Sequence, residues 1–193
     1  VVKWKDWDTF RRGLPVRFHM VLLGNGRYQS WLVDAKYLRL EALNEAWDTQ
    51  YASKYEIQLP ERMPSHPAEA ADWELFVRER APIELIELAG GEEQFRAYVA
   101  SLCSNVSEFN QRYKTDFASL NDIPFSTSKP DHRGVQRVWQ TFVRHHCPAE
   151  ALGMQNGENL FRRWLRDTYG SLEAVNRRYS SDYDTFEGIT PPC

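Results

Sequence analysis

A period of 66 residues constrains what this chain can fold into more than any other feature in it. Trp7, Trp73 and Trp139 are separated by 66 and 66 residues, and Phe10, Phe76 and Phe142 follow them at the same offset. Asn44, Asn110 and Asn176 keep this spacing, as do Ile57, Ile123 and Ile189. Pro15, Pro82 and Pro148 are spaced 67 and 66, as are the aromatics Trp31, Tyr98 and Trp164. The first copy is therefore one residue shorter before its proline and one longer before its asparagine. Self-similarity at a fixed period marks repeated supersecondary units. The 193 residues divide into three tandem copies, 1–62, 63–128 and 129–193.

Each copy reads as three helices, so the expected fold is all-α with room for short β segments. Val135, Val138, Trp139, Phe142 and Val143 fall at helical spacing and form one apolar stripe. Asp131 is the expected N-cap of that helix, and Ser65 with Pro67 serves the second copy. The proline ends the helix, because the residue before it avoids the helical region. The following segment (Val16–Leu23, Ile83–Leu88) reads as an irregular turn, with a short strand as the alternative. The second helix carries Phe161, Trp164, Leu165 and Thr168, matched by Phe95, Tyr98, Val99 and Leu102 and by Tyr28, Trp31, Leu32 and Ala35. Gly170 fits a C′ glycine, and Ser171 and Asn105 stand where the third helix needs an N-cap.

The third helix repeats Leu43-Asn44-Trp47, Phe109-Asn110-Tyr113 and Val175-Asn176-Tyr179, with Tyr51, Phe117 or Tyr183 seven residues after the asparagine. Leu172, Val175, Asn176 and Tyr179 share one face, which places the asparagine on the buried stripe. A buried carboxamide needs partners. The expectation is that it bonds backbone in the following loop and fixes that loop's path; the competing use, gripping a ligand, would bury it alike in all three copies.

Composition sets broad limits. The chain is 42% hydrophobic, with seven Trp, which is enough apolar bulk for a core, and 26% charged. The net charge of −3 and the mixing of Lys and Arg with Asp and Glu leave no basic face for nucleic acid. A Myb-like array would need several Trp per repeat at 18- or 19-residue spacing and a basic helix, and neither is present. Cys103, Cys147 and Cys193 are too few for a disulfide framework, although one bond between Cys103 and Cys147 stays open. No apolar run approaches the length that spans a bilayer. The chain has no initiator Met, begins at the start of one copy and stops at the end of another, so it is expected to be a soluble piece of a longer protein.

No residue set names a reaction, so no catalytic, metal-binding or cofactor-binding residue is assigned. His145-His146-Cys147 lacks zinc-like spacing and reads as a helix terminus, where His is favoured near the negative end of the dipole. His66 and His132, in register, mark the first turn of their helices. Gly24-Asn25-Gly26 lacks the third glycine and the context of a phosphate loop, and no Gly-x-Ser-x-Gly elbow occurs. Glu41, Glu84, Glu87 and Glu173 would need a shared cleft to act as acid and base, and mixed-charge surface helices account for them better. Asn105-Val106-Ser107 matches a glycosylation acceptor, but Asn105 is also the expected cap. The Trp and Tyr stripes could stack on sugars, yet at helical spacing they read as core.

The stretch Phe161-Arg-Arg-Trp-Leu-Arg-Asp-Thr-Tyr-Gly-Ser-Leu-Glu-Ala-Val-Asn-Arg-Arg-Tyr resembles a helical hairpin of bacterial β-galactosidases of the glycoside hydrolase class. That resemblance brings no catalytic glutamates and no barrel. Tandem copies with a Trp-x-x-Phe helix, a proline and the Tyr-Gly…Asn hairpin resemble the extracytoplasmic insert of bacterial carbohydrate ABC-transporter permeases. The first copy departs from the pattern with Tyr37-Leu38, and the second with Cys103-Ser104. The resemblance implies a non-catalytic interaction module, outside the cytoplasm, that contacts a solute-binding protein or transporter subunits and needs no cofactor. The alternative is an accessory carbohydrate-binding domain of a glycoside hydrolase.

Overall fold

A computed structural model of the chain describes residues 2–14 and 24–191. Among the described residues are nine α-helices: α1 (Val2–Gly13), α2 (Gly24–Ser30), α3 (Leu40–Trp47), α4 (Pro67–Glu79), α5 (Glu92–Leu102), α6 (Val106–Tyr113), α7 (Arg133–His145), α8 (Gly157–Tyr169) and α9 (Leu172–Tyr179). One antiparallel pair of short strands, β1 (Ile86–Leu88) and β2 (Leu152–Met154), joins them, so the fold is otherwise all-α. These strands correct the irregular turn expected after each proline. Pro82 and Pro148 start 3-10 turns that deliver two extended, buried segments side by side, and each supplies the other's backbone partners. The matching stretch Val16–Leu23, with Pro15, lies outside the described residues, as does Cys193.

Helix ends follow local chemistry, with two corrections. Asn105 and Ser171 cap α6 and α9, accepting from Glu108 N (3.0 Å) and Ala174 N (3.2 Å). Gly170, at φ +76°, ends α8. The caps of α4 and α7, however, are His66 and His132, one residue later than Ser65 and Asp131. His132 Nδ1 accepts from Gly134 N at 3.2 Å, filling the role expected of a carboxylate, and Pro67 takes the first helical position of α4. The extra residue of the first copy also finds its place. Trp31–Lys36 is a π-helical turn, the usual way a helix absorbs one inserted residue.

The asparagines clamp the exits of the third helices. Asp48, Lys114 and Ser180 end α3, α6 and α9 in the left-handed region, at φ +53°, +57° and +53°, which a non-glycine residue adopts at a cost of about 1 kcal/mol. The side chain of Asn176 donates to Tyr183 O (2.8 Å) and accepts from Tyr183 N (3.0 Å) and Ser181 Oγ (3.1 Å). Asn44 does the same with Tyr51 and Thr49, and Asn110 with Phe117 and Thr115. The loop role holds, although the side chains are half-buried rather than fully buried. Asn176→Leu is expected to cost about 2 kcal/mol, because it strands the Tyr183 backbone groups. In a thermal melt that corresponds to a fall in Tm of about 4–8 °C; an unchanged Tm would refute the clamp.

Packing regroups the helices across the boundaries read from the sequence. The first helices of the second and third copies close on the hairpin of the preceding copy, α4 on α2–α3 and α7 on α5–α6, while α1 of the first copy closes on α8–α9 of the last. The same ring pairs recur in each group. Phe76 meets Tyr28 and Trp31 (4.9 and 5.5 Å), Phe142 meets Phe95 and Tyr98 (5.3 and 5.9 Å), and Phe10 meets Phe161 and Trp164 (5.4 and 6.2 Å). Trp73 and Trp139 are fully buried and send their indole N–H groups to Pro60 O and Ser126 O. Gly134 lets α7 meet α6 closely: a Cβ there would stand 2.2 Å from the Tyr113 carbonyl oxygen.

The first two groups are related by a local two-fold axis, which their reciprocal contacts define. Arg78 donates to the carbonyls of Val143, Arg144 and Cys147, and Arg144 to those of Val77, Arg78 and Ala81. Met154 N bonds Glu61 O as Leu88 N bonds Thr127 O, and Gln155 N bonds Leu85 O as Ala89 N bonds Ala151 O. The axis passes between Glu87 and Gly153, which face each other in the strand pair. The third group docks beside the first, where Asn156 Nδ2 donates to Leu59 O at 2.8 Å and Arg163 pairs with Glu61 at 2.9 Å.

Candidate binding cleft beside the central strand pair

The two-fold is kept by the backbone and broken by the side chains, and the break leaves a cleft. On one side, Arg62 lies across Gly153 and donates Nη1 to Leu152 O at 3.3 Å. A Cβ on Gly153 would collide with that guanidinium, 2.5 Å from Nη1, so the glycine is what admits the arginine. On the other side the matching residues are Ser128 for Arg62 and Glu87 for Gly153. The short serine leaves a cleft of about 190 Å³, lined by Glu84, Glu87, Ser128, Lys129, Asp131 and Gln155 among others.

The cleft is rich in acceptors. Three carboxylates and one ammonium line it, from the 3-10 turn, from β1 and from the linker before α7. Lys129 Nζ bonds Glu84 at 2.8 Å. Burial is the largest single influence on Glu84 and opposes its ionisation, but the hydrogen bond from Lys129, a backbone hydrogen bond and the charges of Lys129 and Arg144 together outweigh it, and the carboxyl stays below the usual glutamate range. Gln155 is only 8% exposed; its Nε2 donates to the Glu87 carboxylate, and its Oε1 has no hydrogen-bond partner among the described residues. A buried amide oxygen left unpaired costs about 1–3 kcal/mol, so it calls for an explanation.

Glu84 and Glu87 thus share a cleft, which corrects their reading as carboxylates of mixed-charge surface helices: Glu84 sits in a 3-10 turn and Glu87 in a strand. Glu41 and Glu173 are exposed in the first turns of α3 and α9, where a carboxylate is favoured by the dipole. Ser128, Lys129 and Gln155 were missed. The only sequence signal for them is a pair of swaps, Arg62 to Ser128 and Gly153 to Glu87. It means nothing until the strand register shows which residues face each other.

The other candidates are placed as follows. His145 and His146 lie exposed at the end of α7, with the His146 ring stacked on Tyr98 at 4.3 Å. Cys147 and Cys103 are buried and free, so the bond left open between them is not made. Burial pushes the Cys147 thiol up to about 11 against the opposing charge of Arg78. Gly24-Asn25-Gly26 opens α2, where Asn25 Oδ1 accepts from Leu59 N at 2.7 Å. Among the described residues no group of three or more His, Cys, Asp or Glu is placed to hold a metal ion, and no helix is long and apolar enough to cross a membrane. Comparison with protein families, with curated proteins and with solved structures finds no match to this chain.

Proposed function

We propose that this chain is a non-catalytic interaction module, the extracytoplasmic part of a carbohydrate ABC-transporter permease, which contacts a solute-binding protein. One observation carries the choice of a protein partner over a sugar. The aromatic stripes that a glycan would stack on are spent on the core, with Trp73 and Trp139 fully buried and their indole N–H groups bonded inward. Among the described residues, the large apolar side chains left exposed, Trp4, Leu38, Tyr55, Met63 and Leu75, come from separate segments of the chain rather than from one helix face.

The chain, immobilised as bait, is expected to retain a solute-binding protein from the extracytoplasmic fraction of its source cell. The same purified protein should then bind in a direct titration. Oligosaccharides should leave tryptophan fluorescence unchanged. Saturable quenching by an oligosaccharide, with no binding of the solute-binding protein, would move the assignment to an accessory carbohydrate-binding domain.

A further inference from the structure

We propose that the groove between the end of α6 and the start of α7 is a binding site for a phosphate-bearing small molecule. Its lining gathers four cations, Arg112, Lys114, Arg133 and Arg137, together with His132, and holds no carboxylate. No partner protein is needed for it, so this site and the interaction module can fail separately.

The linear order of charges conceals the groove. Lys and Arg mix with Asp and Glu along the chain, which carries 27 acidic against 24 basic residues. Folding selects from that mixture. Arg133 and Arg137 stand one turn apart on α7, Arg112 and Lys114 close α6, and the packing of α6 on α7 sets the two pairs side by side. Gly134 permits the approach, since a Cβ there would stand 2.2 Å from the Tyr113 carbonyl oxygen. All four cations are exposed. Among the described residues none of them pairs with a carboxylate, and Arg112 donates to the Leu102 carbonyl at 3.2 Å. Asp116 and Asp131, the carboxylates beside them in sequence, do not line the groove.

The repeat itself does not require these charges. In the first group the positions of Arg112, Lys114, Arg133 and Arg137 hold Ala46, Asp48, Pro67 and Ala71, and Gly134 is replaced by Ala68. The third group has cations at two of the four positions, Arg178 and Lys5. Asp48, Lys114 and Ser180 all take the left-handed conformation, so the turn accepts a lysine without needing one. Like charges brought together repel one another, and only the second group collects four of them with no carboxylate between. A bound anion relieves that repulsion. Guanidinium forks match phosphate oxygens two at a time, and three of them with an ammonium exceed what one carboxylate can pair. The volume, about 750 Å³, lies in the range of small-molecule sites and is more than a bare ion fills.

The full chain, isotope-labelled, is titrated with glycerol phosphate, inorganic phosphate and succinate at fixed ionic strength. The phosphates are expected to give saturable shifts of the Lys114 and Arg133 backbone amides and of the Arg137 side-chain Nε–H, at lower concentration than succinate. Added sodium chloride should weaken the binding, because exposed charges are screened. Arg137→Ala should weaken it about threefold, the worth of one exposed charge pair. Arg112→Ala, Lys114→Asp and Arg137→Ala combined install the residues of the first group, which that group tolerates, and should weaken binding by at least about thirtyfold. No saturable shift, succinate bound as tightly as the phosphates, or an undiminished response in the folded triple variant would each overturn the proposal. The two phosphates identify the source: tighter binding of glycerol phosphate points to an organic ester, and tighter binding of inorganic phosphate to the free ion.

Discussion

Replacing both Arg78 and Arg144 by alanine is expected to lower the stability of this chain by about 4 kcal/mol. The last turn of every α-helix leaves carbonyl oxygens without intrahelical partners. Here α4 and α7 end against each other, and each supplies the donor the other lacks. Arg78 reaches the carbonyls of Val143, Arg144 and Cys147 (3.0, 3.3 and 2.8 Å), and Arg144 reaches Val77, Arg78 and Ala81. The guanidinium also places positive charge at the negative end of each helix dipole. Alanine removes donors and charge together and leaves the carbonyls between packed helices. The two sites share one network, so their effects should be non-additive, with the interaction energy measurable in a double-mutant cycle. Lysine at either position should recover little, because an ammonium cannot span three carbonyls as the fork does. Urea denaturation of the four variants reads the effect. A loss below about 1 kcal/mol for the double variant, within the range of exposed ion pairs, would show that the clamp is incidental.

The second large effect is expected at Asp72, a carboxylate only 2% exposed in the interior of the first packing group. It accepts from Tyr37 Oη at 2.7 Å and Trp47 Nε1 at 2.9 Å and pairs with Lys36. Asp72→Ala should cost about 3–5 kcal/mol, because it strands a buried indole N–H and hydroxyl and removes the partner of Lys36. The chain contains its own control. In the second group the equivalent residues are Val138, Cys103 and Tyr113, with Val138 and Cys103 buried. In the third they are Asp6, Tyr169 and Tyr179, with Tyr169 Oη bonded to Asp6 at 2.8 Å. The polar set is therefore one of two solutions to the same packing problem. Transplanting the apolar set, as Asp72→Val with Tyr37→Cys and Trp47→Tyr, should recover at least about half of what Asp72→Ala loses. Thermal melts of the single and triple variants compare them directly. A triple variant no more stable than Asp72→Ala would mean that the polar set is fixed by something beyond its own hydrogen bonds.

The sequence by itself determined the helices, their order and most of their ends. That information is local: the apolar stripe of Val135 to Val143, the caps at Asn105 and Ser171, Gly170 and the prolines each act within a few residues. It also carried the asparagine clamp, because a carboxamide recurring on an apolar face must bond nearby backbone, and Tyr51, Phe117 and Tyr183 stand at one fixed distance from it. The one-residue offset of the first copy was visible too, although only the structure shows it absorbed in the π turn at Trp31–Lys36.

Tertiary structure decided which helix closes on which hairpin, that Ile86–Leu88 and Leu152–Met154 pair as strands, and that two of the groups face each other across a two-fold. An apolar stripe states that a face must be covered, not which copy covers it, so α4 on α2–α3 and α4 on α5–α6 read alike in sequence. The cleft belongs to the same class. Glu87 and Ser128 stand 41 residues apart in one copy and Gln155 comes from the next, and the strand pair with the Leu88 N to Thr127 O bond brings them together. Three-residue strands carry almost no periodic signal, and their partners lie 64 to 68 residues apart, which is why the site took shape only when the chain was folded.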